Sequence, residues 1–208
     1  MPEIKGSNQS FLHETKLPLE IIKRKFEQIG QTKIIAFEKT RFMTSLEVSR
    51  FLRTLPFSHL EGIQKIEWKR WQPLREFLRN PKERILGLYN QKTREIHIHG
   101  PAGMYEQSPK KLQLTITHEV GHNVYRNLEE KQPDAALRWK QIFRISLQLP
   151  NGGMVSTYPL IYRDVRIVMN EDFAETYKEY RLNPRHLKVV NMAKYEFMRR
   201  EVFAGKEY

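Results

Sequence analysis

The sequence predicts an α+β fold that is mainly helical and carries a small mixed sheet. Apolar residues recur at the spacing of amphipathic helices in several long stretches, above all 108–130 and 169–182. Short extended patterns fall within residues 62–100. Because no linker rich in glycine or proline separates these parts, we expect one domain over residues 1–208.

The N-terminal part, residues 17–59, is predicted to be helical. Residues 1–16 are polar and weakly patterned, which favours a loose arm before it. The segment 17–30 predicts a first helix, and Gly30 suits its C-terminal cap. The apolar stripe of this helix consists of Leu19, Ile22 and Phe26.

A second helix is predicted for residues 44–56. Thr44 and Glu47 have the spacing of a capping box, and Pro56 is a stop signal. Its predicted apolar face consists of Leu46, Phe51 and Leu52. The remaining residues, 60–208, are expected to form the core.

Two extended segments follow. "GIQKIEW" (62–68) predicts a strand, and residues 84–100 predict a hairpin that turns at Asn90–Thr93. In "EIHIH" (95–99) isoleucines alternate with polar residues, which is the period of a half-buried strand. His97 and His99 share the polar face, where we expect them to be exposed.

The remaining chain predicts further helices. Residues 108–130 open with Ser108 and Pro109, a typical helix start. Residues 136–146 predict a shorter helix, and residues 150–158 a loop. One last helix is predicted for residues 183–203, opened by Asn183 and Pro184.

The charge balance is strongly basic. The chain has 36 Lys+Arg against 24 Asp+Glu, a formal net charge of +12. Such a field can attract nucleic acid or acidic substrates. The basic residues are scattered, as in residues 66–84, which favours solvated helix faces over a nucleic-acid footprint.

Targeting signals are missing from the sequence as given. No apolar run approaches the length of a membrane-spanning helix, and "MPEIKGSNQS" lacks the pattern of a secretory signal. If residue 1 is the native start, we expect a cytoplasmic protein. A signal that had been removed would leave the alternative of a secreted one.

One segment has the spacing of a metal site. "THEVGHNVYRN" (117–127) lies within a predicted helix, where residues four apart project from the same side. His118 and His122 can therefore bind one Zn²⁺ ion. Glu119 lies about 100° round the helix, beside the metal, where it can take a proton from a water molecule.

A third metal ligand is expected on another helix. The chain has no cysteine, so only imidazole and carboxylate groups remain as tight ligands. "NEDFAETY" (170–177) offers Glu171 and Glu175, one turn apart. The alternative is that both glutamates line a solvent-exposed face. A catalytic zinc needs three protein ligands and one open position, which favours the ligand role for one of them.

The combination of HEVGH and EDFAE resembles the zinc-peptidase domain of anthrax lethal factor and its smaller relatives, the secreted Pro-Pro endopeptidases. These are gluzincins, in which the third ligand is a glutamate. The resemblance covers about residues 60–195, whereas residues 1–59 match nothing in the family. It implies a zincin-like fold, with the sheet packed on the active-site helix, and cleavage of peptide or protein substrates.

The resemblance also implies individual roles. Glu171 matches the glutamate that binds zinc, with His118 and His122 as the other ligands and Glu119 as the catalytic base. Glu175 matches the outer glutamate, which accepts the second N–H of a ligand imidazole. In this interpretation the strand 95–99 is the sheet edge on which an extended substrate pairs.

The family further places a tyrosine on the loop before the second helix, where its hydroxyl supports the oxyanion. "VSTY" suggests Tyr158 for this role. The distance from Tyr158 to Glu171 is longer than in the family, so "PLIYRDVRIVM" looks like a small insertion. Tyr162 within it is the rival candidate.

Two other functions remain open at this point. A DNA-associated zinc protease of the SprT-like type shares the HExxH motif and would fit the net charge, but it takes a third histidine, and none stands where EDFAE stands. A non-enzymatic basic binding module would hold a structural zinc with four protein ligands. His97 or His99 as a fourth ligand would support that module.

Overall fold

The computed structural model describes residues 26–40, 42–69, 86–99 and 108–208. These residues form a mixed α+β structure with a small mixed sheet, which confirms the predicted fold class at this level. The predicted loose arm and the greater part of the first predicted helix lie outside the described residues. None of the described helices is both long enough and apolar enough to span a membrane.

The sheet has five described strands in the order β1-β2-β3-β5-β4. The outer pairs β1–β2 and β5–β4 are antiparallel, whereas β2–β3 and β3–β5 are parallel. The strands are β1 (Phe26–Ile29), β2 (Thr32–Ile35), β3 (Lys65–Lys69), β4 (Gly87–Asn90) and β5 (Glu95–His99). The predicted strand at 62–68 and the hairpin are thus confirmed.

The helix predicted for residues 17–30 is wrong where the structure describes it. Phe26–Ile29 is a strand, and Ile29 pairs directly with Thr32 across a two-residue turn. Gly30 has φ +57° in that turn, as tight hairpins require, and caps no helix. Pairing of β2 with the distant β3 outweighs the local helical pattern. Residues 17–59 are therefore not a wholly helical part.

The strand 95–99 is not the sheet edge, so that prediction is also wrong. It lies between β3 and β4, and β4 ends the sheet among the described strands. Because β5 is an interior strand, its polar face is partly covered. His99 is only 1% exposed and His97 is half-buried, so neither is the exposed histidine that we expected.

The capping box of the second predicted helix is confirmed. Helix α1 (Ser45–Leu52) begins after Thr44, whose hydroxyl accepts from the Glu47 backbone while the Glu47 carboxylate accepts from the Thr44 backbone. The predicted apolar face is partly wrong, since Leu46 is exposed and Val48 is buried with Leu52. Pro56 does not end α1 but precedes the short helix α2 (Phe57–Leu60).

Three longer helices follow: α3 (Pro109–Lys131), α4 (Pro133–Ser146) and α5 (Val165–Leu182). Ser108 caps α3 as predicted, its hydroxyl accepting from the Lys111 backbone. Helix α5 begins earlier than the pattern from residue 169 indicated, because Asp164 caps it. Between α4 and α5 the chain forms two short 3-10 turns, Pro150–Gly153 and Tyr158–Ile161.

The single last helix predicted for residues 183–203 is interrupted. The structure has α6 (Pro184–Val190) and α7 (Met192–Phe197), the latter continuing into a π-helical turn. Asn191 causes the break: its backbone is extended and its side chain accepts from the Lys194 backbone, starting a new helix. The predicted cap Asn183 makes no side-chain capping bond.

Helix α3 is central to the structure, since it contacts β4 and β5 on one side and α5 on another. A Cβ atom added to Gly121 would lie 2.9 Å from the Ala174 Cα, so the absence of a side chain lets α3 and α5 approach closely. Phe173 and Tyr177 of α5 are fully buried beside this crossing. The crossing brings the HEVGH and EDFAE segments together.

Candidate metal site

Three predicted ligands converge where α3 and α5 cross. The nearest Glu171 oxygen lies 3.2 Å from His118 Nε2 and 3.6 Å from His122 Nε2. The two Nε2 atoms are 3.1 Å apart. One ligand atom from each residue lies within 4.8 Å of the others, so this group could hold a metal ion.

The outer nitrogens of both imidazoles have partners. His118 Nδ1 lies 2.8 Å from Glu175 Oε1, and His122 Nδ1 lies 3.0 Å from Asn170 Oδ1. Both partner oxygens accept hydrogen bonds, so each Nδ1 donates. A neutral imidazole that donates from Nδ1 has a lone pair on Nε2. With both rings neutral, both Nε2 lone pairs face the cluster, which fits a bound cation.

The electrostatics of the cluster also favour a cation. Burial lowers the pKa of His118, but hydrogen bonds to Glu171 and Glu175 raise it more, to about 9. Burial raises the pKa of Glu171, but hydrogen bonds from the two histidines lower it far more, well below its ordinary range. Two carboxylates thus stay ionised around a buried pair of imidazoles.

Glu119 occupies a buried position beside the cluster. It is 5% exposed and lies against β4, where a Cβ atom added to Gly87 would lie 2.8 Å from its Cδ. Burial raises its pKa, while the nearby histidines and the Tyr89 backbone oppose the shift. A carboxylate with a raised pKa is a better proton acceptor near neutral pH than an ordinary one.

Both candidate tyrosines border the site, and the ring of Tyr158 lies beside that of His118. Its ring is 6.0 Å from the His118 ring, and its hydroxyl lies 3.0 Å from the Tyr162 hydroxyl. Burial, the bond to Tyr162 and the charge of Glu171 raise the pKa of Tyr158. The hydroxyl thus stays protonated and can donate a hydrogen bond.

Several residues around Glu175 were missed by the sequence reasoning. Ser156 Oγ donates to one oxygen of Glu175 over 2.6 Å, and Lys178 Nζ donates to the other over 2.5 Å. Lys178 lies three residues after Glu175, a spacing that could have indicated the pair. Ser156 and Asn170 carry no such signal, because only the fold brings Ser156 to Glu175 and Asn170 to His122.

A buried ion pair joins α5 to α7. Lys194 Nζ of α7 donates to both oxygens of Asp172, each over 2.7 Å, and both side chains are fully buried. Asp172 directly follows the candidate ligand Glu171. The ion pair therefore joins this turn of α5 to α7. A contact between two segments this far apart cannot be inferred from local sequence.

The cluster opens into a cleft of about 810 Å³. One wall is the end strand β4, with Gly87, Leu88 and Tyr89. Another wall combines one face of α4 with the start of α5: Lys140, Phe143, Arg144, Leu147, Val165 and Ile167. The same cleft is lined by His118, Glu119, His122 and Glu171. An extended molecule bound in it would therefore contact the candidate metal ligands.

Neither His97 nor His99 joins the cluster; within the described ranges the group consists of the two α3 histidines and Glu171. Comparison with known proteins finds no matching family model, no matching curated protein and no matching solved structure. The resemblance to the lethal-factor group thus stays a prediction that depends on the two motifs.

Proposed function

We propose that this protein is a zinc-dependent endopeptidase of the gluzincin type, with a zincin-like core. The observation that carries the proposal is the convergence of His118, His122 and Glu171, with Glu119 beside them in the same cleft. Two imidazoles and one carboxylate are the protein ligands of a well-known class of catalytic zinc site.

The donor set supports zinc as the metal. In the neutral rings both Nε2 lone pairs are directed at the cluster, and the ionised Glu171 adds one negative charge. When bound, zinc supplies Lewis-acid chemistry: it lowers the pKa of a water ligand and polarises a carbonyl oxygen. Three protein ligands leave a position open for such chemistry.

The protein's own groups account for the proton transfers. Glu119 takes the proton of the attacking water and passes it to the leaving amine, an effect typically of about 10²–10⁴-fold. Tyr158 donates its hydroxyl hydrogen bond to the oxyanion, since its ring lies against His118. Glu175 holds His118 in the tautomer that leaves Nε2 free.

The substrate strand is proposed to pair with β4. This strand ends the described part of the sheet and lines the cleft beside Glu119, so its outer edge can bind an extended peptide by main-chain hydrogen bonds. Pairing of this kind orders the backbone of a polypeptide and is indifferent to its side chains. Binding a substrate by main-chain pairing fits an endopeptidase better than a hydrolase of small molecules.

The two alternatives have less support. A SprT-like protease takes a third histidine, whereas the third potential ligand in the described residues is Glu171. A structural zinc normally has four protein ligands, and the described part of the chain provides three at this point.

The test combines metal analysis with peptide cleavage. The purified protein is expected to bind about one zinc per chain, and His118→Ala or Glu171→Ala to lose it. Glu119→Gln should keep zinc and abolish cleavage of a peptide library. A native protein without affinity for zinc, or unchanged turnover by Glu119→Gln, would overturn the proposal.

A further inference from the structure

The wall of the cleft formed by α4 and α5 carries an unusual combination of side chains. Lys140, Phe143, Arg144 and Leu147 occur at the i, i+3, i+4, i+7 spacing of one helix face, and all four line the cleft. The facing start of α5 adds Val165, Arg166 and Ile167. Apolar and basic side chains therefore alternate along this wall, on one side of the candidate metal ligands.

Three of the four apolar side chains of this wall are open to solvent, whereas Phe143 is buried. Leu147 is 45% exposed, Val165 61% and Ile167 44%. More than half of the large apolar side chains that are exposed in the described residues lie between residues 145 and 167. Exposed apolar side chains that line one cleft are typical of a binding site.

The basic groups of the wall differ in their partners. Lys140 is paired with Glu129 at 3.1 Å, and Arg166 with Asp164 at 3.5 Å. Arg144 is exposed and forms no ion pair or hydrogen bond within the described ranges. Its guanidinium is therefore available to a ligand, and a carboxylate is the group that its planar donors match best.

We propose that this wall selects polypeptide substrates in which an acidic residue, bound by Arg144, lies close to a bulky apolar residue packed against Leu147 and Val165. The inference depends on the proposed peptidase function and adds its substrate class. Arg144 and Leu147 are one helical turn apart, so the two substrate residues must be near each other in sequence.

A nucleic acid fits the wall less well. Phosphate chains are bound by several unpaired cations, whereas two of the three basic groups here are already paired with carboxylates. The exposed aliphatic groups have no role in binding a phosphate backbone. A polypeptide can contact the basic and the apolar side chains of the wall at the same time.

The test measures binding by zinc-loaded Glu119→Gln protein, so that recognition is separated from cleavage. The probes are labelled peptides of equal length: one with Asp beside Leu, one with Asn for Asp, one with Ser for Leu, and a single-stranded oligonucleotide. The Asp–Leu peptide should bind about tenfold more tightly than either substituted peptide. Equal binding of the three peptides, or no binding, would overturn the inference.

Variants of the wall provide the controls. In the same background, Arg144→Glu should remove the preference for Asp over Asn, and Leu147→Ser the preference for Leu over Ser. Arg185→Glu makes the same charge change on exposed α6, and Val189→Ser also removes an exposed apolar group; neither residue lines the cleft. If Arg185→Glu matched Arg144→Glu, net charge rather than the wall would explain the preference, and the inference would fail.

Two further outcomes separate this inference from the proposed function. If wild-type protein cleaves peptides without regard to acidic residues, the peptidase function stands and the inference is wrong. If the peptides bind as expected but wild-type protein cleaves none, recognition stands and the peptidase function falls. Loss of oligonucleotide binding in Arg144→Glu, with peptide binding unchanged, would assign the wall to nucleic acid instead.

Discussion

Glu175 Oε1 lies 2.8 Å from Nδ1 of His118, while Nε2 of the same ring faces Glu171 at 3.2 Å. One imidazole is thus held between a carboxylate that orients it and a carboxylate that would share its metal. Ser156 and Lys178 in turn fix the Glu175 carboxylate. The orientation of the His118 ring is therefore set by residues of α5 and of the loop before it.

The first prediction concerns Glu175→Gln. An amide keeps the shape of the side chain but removes the charge that supports the imidazole, so zinc affinity should fall by about 10- to 100-fold. Competition with a chelator of known affinity measures the change. Glu179→Gln is the matched control, because Glu179 lies one turn later on α5 and contacts His186 near the surface. Equal affinities of the two variants would contradict the role given to Glu175.

The second prediction concerns Gly87→Ala. The added methyl group would lie 2.8 Å from Glu119 Cδ, so the carboxylate must move. We expect zinc content and thermal stability to change little, and kcat to fall by more than about tenfold, since a displaced base loses much of its effect. KM should change less than kcat. Unchanged kcat would show that Glu119 has room to move without loss of function.

Local sequence predicted which two histidines lie side by side, because their spacing follows directly from the helix. His118 and His122 had to share one side of α3 once Ser108 and Pro109 had started it. Glu171 reaches the two histidines because its helix, α5, crosses α3. The close approach of Gly121 and Ala174, which makes this crossing possible, gives no local signal.

Sequence reasoning failed where distant segments decide the structure. Phe26 fits a helical stripe, yet its segment is a strand that pairs with β2, and β2 in turn pairs in parallel with the distant β3. Alternation predicted that His99 is exposed, but its side chain is buried, and its strand β5 lies between two others. Strand order depends on pairing between remote residues, so a pattern within one segment could not reveal it.

The third prediction separates Tyr158 from Tyr162. The Tyr158 ring lies 6.0 Å from the His118 ring, and Tyr162 contacts the hydroxyl of Tyr158. Tyr158→Phe should therefore lower kcat by about 10²-fold or more, the usual effect of removing an oxyanion donor. Tyr162→Phe should lower it less, because it removes only a partner of that donor. Steady-state kinetics of both variants, at equal zinc content, measure the difference; the reverse order would give the role to Tyr162.

The fourth prediction concerns the buried pair Asp172–Lys194. Burial raises the pKa of Asp172 and lowers that of Lys194, while each opposes the shift of the other. Lys194→Met leaves the buried carboxylate without its partner, so the free energy of unfolding should fall by about 3–5 kcal/mol. Denaturant unfolding of the zinc-free protein measures it.

The control for this pair is the double variant Asp172→Asn with Lys194→Met. It removes the second charge as well, so it should be more stable than Lys194→Met alone. If the single variant were as stable as wild type, water would have to reach Asp172, contrary to its complete burial.

The fifth prediction concerns His59 and pH. His59 is 5% exposed, with Nε2 2.8 Å from the Val202 carbonyl and Nδ1 2.8 Å from the Tyr177 hydroxyl. A carbonyl only accepts, so Nε2 donates to Val202, and in the neutral ring Nδ1 accepts from the Tyr177 hydroxyl. Burial accordingly lowers the pKa of His59 to about 4, against a small opposing effect of the Val202 carbonyl.

The sign of the pH effect follows from proton binding. Between about pH 6.5 and pH 4 the unfolded chain binds a proton at His59 that the folded chain does not, so acid favours unfolding. Lowering the pH from 7 to 5 should reduce the free energy of unfolding by ~2 kcal/mol through this residue alone. Because other groups titrate over the same range, the measurement is the difference between wild type and His59→Gln in denaturant unfolding at both pH values. The variant should lose this part of the pH dependence, whereas parallel pH profiles of the two proteins would show that folding does not lower the pKa of His59.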